Sequence, residues 1–564
     1  MRRLSILLIS LVLLGLPNLC FSATLKIGMQ DEPKQLNPFK ASDIWSWNVI
    51  GFLYQGLYTH NPQTFEIIPW LAEGEPKYNH KNNTCIVHIK KGVQWEDGRP
   101  FTADDVVFSA NVLMEFKVPQ YYSSWDFITR VEALDEYTVK FWLKEPYAIF
   151  FTRTLMSLIV PEHIWQPIIK EIKKTANPLN SLLEYEVTKP VGMGAFKFAE
   201  WKKGSYVQLV KNSLYFATGM KVKGKKVGPY FDDILFKIYG TTDAAILAIK
   251  KGDIDYIWWP IQPGFVSDLK QNKNITLTNS AENGLKYFAF NLRRMPFKDI
   301  NFRHAVAYLI DKEFIQKRVL QNYGIPNNSV LPPGNKFWFN PDTPKYGKGM
   351  SQAERIKKAV KILKKAGYSW EKEPQITAKG EIIAGKRLIM PDGKPLKPFK
   401  IITPPADYDP LRAMCGIFIQ EWLKQIGISA ISTPTSFGDI VNKVMTEWDF
   451  DVFILGYRLS LDPDFMRTFF HSKEIVKDGD NPMAYNNPEF DKLADASAKE
   501  MVPMERKKLI LKLQEFIIKE APWIPLYTLL QIEAYRNDRW TGWVNQLDGI
   551  GNGWSFLFIK PVKE

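Results

Sequence analysis

Four acidic residues lie close together in the stretch "QWEDGRPFTADDV", where their spacing could support chemistry. They are Glu96, Asp97, Asp104 and Asp105. Carboxylates grouped in this way can act as general acid and base or bind a divalent cation. However, Asp97 and Gly98 form a turn signal. Asp105 follows Thr102 by three residues as the acid of a capping box, and Asp104 falls in the first helical turn, where the helix dipole favours negative charge. The pattern therefore predicts a turn and a helix start rather than a catalytic site.

Other catalytic patterns are absent from the sequence. None of the six histidines has the H-E-x-x-H spacing, and neither a C-x-x-C pair nor a G-x-S-x-G elbow occurs. The segment Gly219 to Lys226 fits G-x-x-x-x-G-K but lacks the Ser or Thr that would hold magnesium. Pro190 to Phe196 has two glycines of a dinucleotide loop without the third, which predicts a tight crossing between domains. The sequence predicts no metal, no cofactor and no enzymatic activity.

The amino terminus is typical of a secretory signal. Two arginines precede an apolar run from Leu4 to Leu16, and we expect cleavage after Ser22. A lipoprotein signal at Cys20 is the alternative, but Pro17 to Leu19 lack the small residues of such a site. The remaining chain has no second long apolar stretch, so a soluble periplasmic or extracellular protein is predicted.

Composition excludes other classes. The net charge is +14, but export argues against nucleic acid as a partner, so we interpret the charge as a solvated surface. About 540 residues after cleavage indicate two or three domains, and we expect a monomer. Cys85 and Cys415 are predicted to be buried thiols, with a disulfide between them as the alternative.

Helix and strand patterns interleave along the chain and predict an α/β fold. Strands are expected at "TLKIGMQ", Leu285 to Leu292 and Asp449 to Tyr457. One helix should start at the N-cap Ser351, with Glu354 as capping-box acid and Gly367 as the stop. A second should cover "NFRHAVAYLIDKEFI", with a buried stripe that ends at Ile310. Trp370 to Lys400 is predicted to form a β-hairpin excursion.

The pattern W-x-D-G-x-P-x-T-A-x-D-V at Trp95 to Val106 resembles a family signature. The chain is similar here to the large extracellular solute-binding proteins (family 5) of peptide-type ABC transporters, which include oligopeptide-, dipeptide- and nickel-binding proteins. The similarity runs along nearly the whole mature chain. Further matching pieces are "LNP", "LYQGLY", "IIPWLAE", "IVPEHIW", "PVGMGAFKF", "AIKKGDIDY", "YFAFN", "PFKDINFRHAVAYLIDK", "LKKAGY", "EWLKQIGI", "YNNPEFDKL" and "PWIPLY".

This resemblance implies a two-lobed periplasmic-binding-protein type II fold with an extra inserted domain (cluster C type). Residues 1–22 are the signal peptide; 23–57, 190–280 and 519–564 form lobe I; 58–189 form the inserted domain; 281–518 form lobe II. It also implies that a solute is captured between the lobes and delivered to the membrane permease subunits of an ABC importer. Closure of the lobes would be stabilised by a ligand that contacts both.

The ligand is less clearly implied. Peptide binders of the family carry an aromatic residue and then an Asp that pairs with the peptide amine. In "GYRLSLDPDF", Tyr457 stands at the aromatic position and Asp462 matches the family's Asp-Pro, but the amine-pairing acid aligns with Ser460. A buried ammonium without a carboxylate is costly. Either Asp462 takes over this role, or the ligand has no free amine.

Oligosaccharide binding is therefore kept as an alternative to peptide binding, since some similar proteins bind sugars on Trp platforms. Candidate platforms are Trp45, Trp47, Trp258 and Trp259, for which core packing is the other interpretation. Asn291, Arg293 and Arg458 are further candidate ligand contacts, the two arginines toward a ligand carboxylate. An exported hydrolase is a third hypothesis, although it would need a nucleophile, an acid pair or a metal.

Overall fold

The computed structural model describes residues 23–41, 43–477 and 479–562. The predicted export signal, residues 1–22 with Cys20 and Ser22, lies outside this part of the chain. None of the helices that the model describes has the length and apolar character needed to cross a membrane.

The fold is centred on one large mixed sheet of twelve strands within the described residues. The order along its main path is Ala430–Pro434, Phe399–Thr403, Val452–Arg458, Gly284–Phe290, Trp523–Arg536, Tyr256–Ile257, Thr24–Met29, Asp233–Ile238, Tyr206–Lys211 and Phe196–Lys202. Two further strands, Ile275–Ala281 and Gly324–Pro326, pair with Trp523–Arg536 off this path. The predicted strands beginning at Thr24, near Leu285 and near Asp449 are confirmed, with ends shifted by up to three residues.

Smaller sheets and the helices complete the secondary structure. A separate antiparallel sheet has the order Lys77–Asn79, Thr84–His88, Thr138–Leu143 and Ile128–Asp135. Two-stranded pairs are Tyr58–His60 with Ile67–Pro69, Lys221–Val222 with Lys225–Lys226, Ser369–Lys372 with Lys386–Ile389, Gln375–Ile376 with Ile382–Ile383, and Trp540–Thr541 with Lys560–Pro561. The α-helices are Ile44–Leu53, Ala103–Phe116, Pro119–Trp125, Ile149–Thr152, Glu162–Ile172, Pro178–Leu183, Thr242–Lys251, Val266–Lys270, Ile300–Leu309, Lys312–Phe314, Gln352–Lys365, Pro410–Gln425, Phe437–Val441, Phe465–Phe470, Pro488–Lys499, Pro503–Glu520 and Gly553–Phe558.

The long strand Trp523–Arg536 joins the two halves of the large sheet. Its first part pairs with Gly284–Phe290, and its second part pairs with Ile275–Ala281. The chain therefore passes between the halves at residues 281–284 and again near 528–530. The domain boundaries inferred from the family resemblance remain a prediction.

The two glycines of Pro190 to Phe196 allow two backbone segments to pack closely. A Cβ added at Gly192 would lie 2.1 Å from the Leu53 carbonyl oxygen, and one at Gly194 would lie 1.9 Å from that of Phe52. Any side chain here would force the segments apart. The predicted close packing of the backbone is confirmed, and its position between domains remains a prediction.

The helix predicted from Ser351 is also confirmed. Ser351 caps helix Gln352–Lys365, and Glu354 completes the capping box. The single helix predicted over "NFRHAVAYLIDKEFI" is wrong, because helix Ile300–Leu309 ends at Ile310, whose backbone is extended. The Asp311 carboxylate then accepts from the Phe314 N–H at 2.9 Å and starts a new helix. The predicted hairpin excursion is present as two strand pairs.

Both described cysteines, Cys85 and Cys415, are buried and unpaired. The prediction of buried thiols is confirmed, and the alternative of a disulfide is wrong. Burial raises the pKa of both thiols.

The acidic stretch from Glu96 to Asp105, called here the acid cluster, is structural. The Asp105 carboxylate accepts from the Thr102 N–H at 3.0 Å, the Glu162 N–H at 2.9 Å and the Trp95 indole at 3.2 Å. Asp97 accepts from the Arg99 N–H and contacts His163. Asp97 therefore stabilises the turn, and Asp105 stabilises the start of the helix. Glu96 accepts from the Gly192 N–H at 3.2 Å and links the cluster to the glycine crossing. The predicted turn and cap are confirmed.

Candidate ligand-binding site

A cavity of about 430 Å³ lies where residues 58–155 meet residues 500–506, and we call it the junction cavity. Apolar and aromatic side chains make up most of its wall. Those lining it are Tyr58, Phe65, Ile67, Pro76, Tyr78, Ala148, Phe151, Leu155, Phe337, Trp338, Met501, Val502, Pro503 and Met504. Its polar lining residues are His60, Glu66, Glu75, His80, Thr152, Asp462, Glu500 and Arg506. Such a mostly apolar concavity with a few polar groups is typical of ligand pockets.

The segment from Glu500 to Met504 lies against residues 58–155 at the cavity. Met501 is 4% exposed and joins a hydrophobic cluster whose other buried members lie before residue 257 or after residue 539. Pro503 begins the helix Pro503–Glu520, and the neighbouring Val502 and Met504 are 46% and 56% exposed. Two exposed apolar side chains beside an apolar cavity extend its wall toward solvent.

Hydrogen bonds hold the two sides together at the rim of the cavity. The Tyr147 hydroxyl donates to Asp464 at 3.0 Å and accepts from Arg467 at 2.9 Å. The Ala148 N–H donates to the Ala498 carbonyl at 2.8 Å. These contacts join segments more than 300 residues apart in the chain, so the cavity closes only when both sides meet.

Asp462 forms a buried ion pair with Arg506 at the cavity wall. The Nη1 and Nη2 atoms of Arg506 donate to the two Asp462 oxygens at 2.7 and 3.0 Å, and both side chains are about 2% exposed or less. Burial raises the pKa of Asp462, but the charge and hydrogen bonds of Arg506 outweigh it and lower the pKa to about 2. The Arg506 Nε donates to the Ser497 carbonyl at 3.1 Å. Asp462 is thus engaged by a protein cation and not left to a ligand amine.

Three other carboxylates of the cavity have no such partner. Among the described residues, no Lys, Arg or His forms an ion pair with Glu66, Glu75 or Glu500. Glu66 accepts from the Thr64 hydroxyl at 2.8 Å, and Glu500 accepts from the Val502 N–H at 2.7 Å. Because Arg506 is neutralised by Asp462, the cavity carries an excess of negative charge.

His60 adds little positive charge. Its Nδ1 lies 3.0 Å from the Phe65 carbonyl oxygen, and burial lowers the pKa of the imidazole, so the ring is neutral at pH 7. For the acidic hydroxyl of Tyr58, burial instead raises the pKa, and the hydroxyl stays protonated. No group of three or more His, Cys, Asp or Glu residues able to hold a metal ion occurs in the described part of the chain.

Tyr457 and Arg458 end the strand Val452–Arg458, four to five residues before Asp462. Tyr457 stacks on Phe469 with ring centroids 4.5 Å apart, and burial raises the pKa of its hydroxyl to about 12. Arg458 is exposed. Neither residue lines the junction cavity.

Asn291 and Arg293 lie beyond the opposite end of the neighbouring strand. In the register of that sheet, Leu285 pairs with Tyr457, and six residues along a strand span about 20 Å. The Asn291 amide donates to the Phe450 carbonyl at 2.9 Å, and Arg293 donates to the Pro482 carbonyl at 2.6 Å. The structure therefore does not bring these two residues together with Arg458.

The four candidate Trp platforms are distributed over packed regions. Trp259 is 7% exposed and its indole N–H donates to the Thr242 hydroxyl at 3.1 Å. Trp258 packs against Phe556 with centroids 5.1 Å apart. Trp45 and Trp47, on helix Ile44–Leu53, are partly buried against the same hydrophobic cluster as Met501. Core packing describes Trp258 and Trp259, and none of the four lines the junction cavity.

Sequence reasoning missed the cavity residues other than Asp462. Arg506 lies 44 positions beyond Asp462, and no spacing rule joins them. The stretch "EMVPMER" did contain a signal, because two methionines and a valine surround the proline that starts a helix, outside any regular buried stripe.

Comparisons with known proteins give a consistent result. Residues 66–477 match the family model described as bacterial extracellular solute-binding proteins, family 5 Middle. The oligopeptide-binding protein AppA of Bacillus subtilis is 29% identical over 511 residues, which cover 89% of this chain and 86% of AppA. The glutathione-binding protein GsiB of Salmonella paratyphi A is 24% identical, with 90% of each chain covered. The solved structure of Bacillus subtilis AppA in complex with a nonapeptide is similar with a TM-score of 0.61 and 26% identity, and the match covers 96% of this chain and 99% of that one.

Proposed function

Because the chain belongs to the bacterial extracellular solute-binding proteins of family 5, we propose that it captures a peptide in the junction cavity and delivers it to the permease of an ABC importer. The family resemblance and the α/β fold of the periplasmic-binding-protein type are confirmed. The family and the relatives are substrate-binding proteins, so the prediction that the chain is not an enzyme is also confirmed, and the hydrolase hypothesis is wrong.

The observation that carries this proposal is the junction cavity itself. Its wall combines residues 58–80 and 148–155 with Asp462 and residues 500–506, so a bound ligand would contact both sides of the interface. A ligand that touches both sides favours the closed arrangement by its differential affinity for it. The rim contacts of Tyr147 and Ala148 would break when the cavity opens for entry or release.

The chemistry of the cavity favours a peptide that carries a cationic group. Aromatic and methionine side chains offer apolar contact for peptide side chains. Asp462 is occupied by Arg506 and the family's amine-pairing position is Ser460, so the peptide amine must find another acid. Glu500, Glu66 and Glu75 supply it, since an ammonium placed beside an unpaired carboxylate gains a charge-assisted hydrogen bond.

The relatives give the oligosaccharide alternative no support, because AppA and GsiB are named for an oligopeptide and for glutathione. Peptide is therefore the ligand proposed here. Tyr457 and Arg458 extend the proposed site along the segment that leads to Asp462. Trp45, Trp47, Asn291 and Arg293 remain candidate contacts by resemblance alone.

Members of the family are periplasmic or extracellular substrate-binding proteins. We place this chain in the same compartment, as a monomer released by cleavage after Ser22. The buried, unpaired thiols of Cys85 and Cys415 need no disulfide partner in that compartment.

Thermal-shift and calorimetric titration of the mature chain test the proposal. We expect di- to pentapeptides with a free amine to bind, and the same peptides with an acetylated amine to bind at least tenfold more weakly. A ligand at 100 times its dissociation constant adds roughly 2.7 kcal/mol to the free energy of unfolding. Binding of α- or β-linked oligosaccharides without any peptide binding would contradict the proposal.

Variants locate the site within the same titration. Glu500→Gln keeps the shape of the side chain and removes its charge, and we expect weaker binding of the free-amine peptide. Glu505→Gln is the matched control, since Glu505 lies five residues further along the chain in the first turn of helix Pro503–Glu520, pairs with Lys508 and does not line the cavity. Equal affinities of the two variants would remove Glu500 from the site. A Tyr457→Ala variant that binds like the parent would remove Tyr457.

A further inference from the structure

More than half of the net positive charge of the chain is concentrated in residues 351–400. These fifty residues contain thirteen Lys and Arg against five Asp and Glu, a net charge of +8, whereas the whole chain of 564 residues has +14. The remaining 514 residues therefore carry only +6. Positive charge at this density in one segment produces a local positive potential, whereas solubility would be served equally well by charges spread over the surface.

Helix Gln352–Lys365 presents several of these lysines on one side, since positions 357, 361 and 365 follow the i, i+4 spacing of a helix surface. It buries Ile356, Ala359 and Leu363 and turns its lysines outward. The strand pair Ser369–Lys372 with Lys386–Ile389 follows directly, and an open groove of about 450 Å³ is lined by the helix and by Glu373 to Ile376. We call this helix and the two hairpins that follow it the basic face.

Five of the thirteen cations form ion pairs within the protein. Arg355 is buried and pairs with Asp311 and Glu313, so it belongs to the core and not to the face. Lys364 pairs with Glu373 at 3.0 Å. The other exposed pairs are Lys386 and Arg387 with Glu371, and Lys394 with Asp392. Exposed ion pairs of this kind contribute little and leave their side chains mobile.

Six exposed lysines of the basic face have no carboxylate within ion-pair distance among the described residues. They are Lys357, Lys358, Lys361, Lys365, Lys372 and Lys379. Like charges held together raise the free energy of the folded protein slightly, and an anionic surface opposite them would remove that cost.

We propose that the basic face binds anionic lipid headgroups and holds this protein at the surface of a membrane. A lysine near an anionic lipid surface contributes about 1 kcal/mol, and the effect falls off within a Debye length. Several lysines on one face act together, whereas the same number spread around the molecule cannot approach the surface at once.

The residue type favours lipid over a protein partner. Every unpaired cation of the face is a lysine, which presents a hydrated point charge on a flexible stem. Such groups suit fluid headgroups. Recognition of carboxylates on an acidic protein surface uses the planar fork of arginine, and the arginines of this segment are already paired, Arg355 with Asp311 and Arg387 with Glu371.

The second hairpin adds an apolar element to the face. Ile383 is 39% exposed on the strand pair Gln375–Ile376 with Ile382–Ile383, between Lys379 and Lys386 in the sequence. An apolar side chain flanked by cations can enter the headgroup layer while the cations contact phosphate.

Vesicle co-sedimentation of the mature full-length chain tests the proposal. The probes are vesicles of phosphatidylcholine alone and of phosphatidylcholine with a third of phosphatidylglycerol. We expect binding to the anionic vesicles at about 0.1 M salt and its loss at about 1 M salt, where the Debye length falls to about 3 Å. Equal binding to both vesicle types, or none to the anionic vesicles, would overturn the proposal. The second result would leave an acidic protein as the partner.

Two matched variants separate the basic face from net charge. The first is K357Q/K358Q/K361Q/K365Q, in which Gln preserves helix propensity. The second is K221Q/K223Q/K225Q/K226Q, on an exposed hairpin elsewhere in the chain, with the same loss of four charges. We expect the first to lower the partition onto anionic vesicles at least tenfold and the second less than twofold. Equal losses would show that total charge alone drives binding and would overturn the proposal. Unchanged circular dichroism and peptide binding confirm that both variants are folded.

Discussion

The acid cluster and the junction cavity both concentrate carboxylates, but they use them in opposite ways. In the acid cluster, Asp105 alone accepts from two backbone N–H groups and an indole. In the junction cavity, Glu75, Glu66 and Glu500 face an apolar space with no ion pair among the described residues. The number of acids is similar in the two regions. What distinguishes them is that Asp105 accepts from three donors of the chain, whereas Glu66 and Glu500 each accept from one nearby donor and have no cation partner among the described residues.

Glu96 of the acid cluster and Asp462 of the junction cavity have pKa values that are shifted in opposite directions. Burial raises the pKa of Glu96 in the acid cluster to about 7, despite the Gly192 N–H. Asp462 at the cavity is more deeply buried, yet Arg506 lowers its pKa to about 2. Burial alone therefore does not set the direction. A cation in hydrogen-bond contact reverses it.

Breaking the ion pair at the cavity should give the largest effect. Arg506→Met leaves the Asp462 charge buried without a partner, and we expect a loss of about 3 to 5 kcal/mol in the free energy of unfolding. Urea denaturation measures it. The double variant Asp462→Asn with Arg506→Met should recover most of the loss, because no buried charge remains. A single variant as stable as the parent would show that the pair is not isolated from water.

Removing the central acid of the cluster should give the next largest effect. Asp105→Ala orphans three donors, and at about 1 kcal/mol each we expect a loss of about 3 kcal/mol. Asp104→Ala is the matched control, since Asp104 is exposed in the same helical turn and should cost less than about 1 kcal/mol. Similar losses for both would mean that the helix dipole, and not the hydrogen-bond network, determines the role of the cluster.

The opposite pKa shifts should appear as opposite pH dependences of stability. The raised pKa of Glu96 gives a contribution that is complete below its ordinary value of 4.5 and is lost as the pH rises through about 7. The lowered pKa of Asp462 gives a contribution to stability that is complete above its ordinary pKa of 3.8 and is lost as the pH falls toward 2.

Unfolding at a series of pH values measures both contributions. Glu96→Gln should reduce the slope of the profile between pH 4.5 and 7, where the raised pKa of Glu533 also contributes, and leave the acid limb unchanged. Asp462→Asn should instead reduce the slope of the acid limb. A change in the acid limb for Glu96→Gln, or between pH 4.5 and 7 for Asp462→Asn, would show that these pKa shifts are assigned to the wrong groups.

The unpaired acids of the cavity should matter least for stability. Glu66→Gln and Glu75→Gln remove exposed charges that no described cation balances, so we expect changes within about 0.5 kcal/mol. Thermal denaturation without ligand measures this. A large loss of stability in either variant would show that these acids, like those of the acid cluster, have structural partners.

Local patterns were predictable from the sequence wherever their partners are close in the chain. The turn at Asp97 and the capping box at Ser351 depend on short-range rules, and both are confirmed. The close packing at Gly192 was predicted from the glycine pair alone, although its partner Leu53 lies far earlier in the chain. The helix over residues 301–315 was predicted too long because a buried stripe persists through Ile310, whereas Asp311 caps a new helix. The periodicity of a stripe does not reveal such a break.

The site was only partly predictable. Asp462 was named from its motif, but its partner Arg506 and the cavity residues Met501 and Glu500 were not. Trp258 and Trp259 were candidate platforms because of their residue type, and their packing against Phe556 and Thr242 emerges only from the fold. Residue type indicates what a side chain can do, but its neighbours decide whether its polar atoms and faces are free.

The sequence by itself determined the family, the α/β class and the structural role of the acid cluster, because these depend on ordered motifs and on interactions within a few residues. Only the tertiary structure decided which carboxylates form an ion pair with a cation of the protein and which do not. Arg506 reaches Asp462 across 44 positions, and Tyr147 reaches Asp464 across 317. Contacts at such separations arise from packing of the whole chain, and no local spacing encodes them.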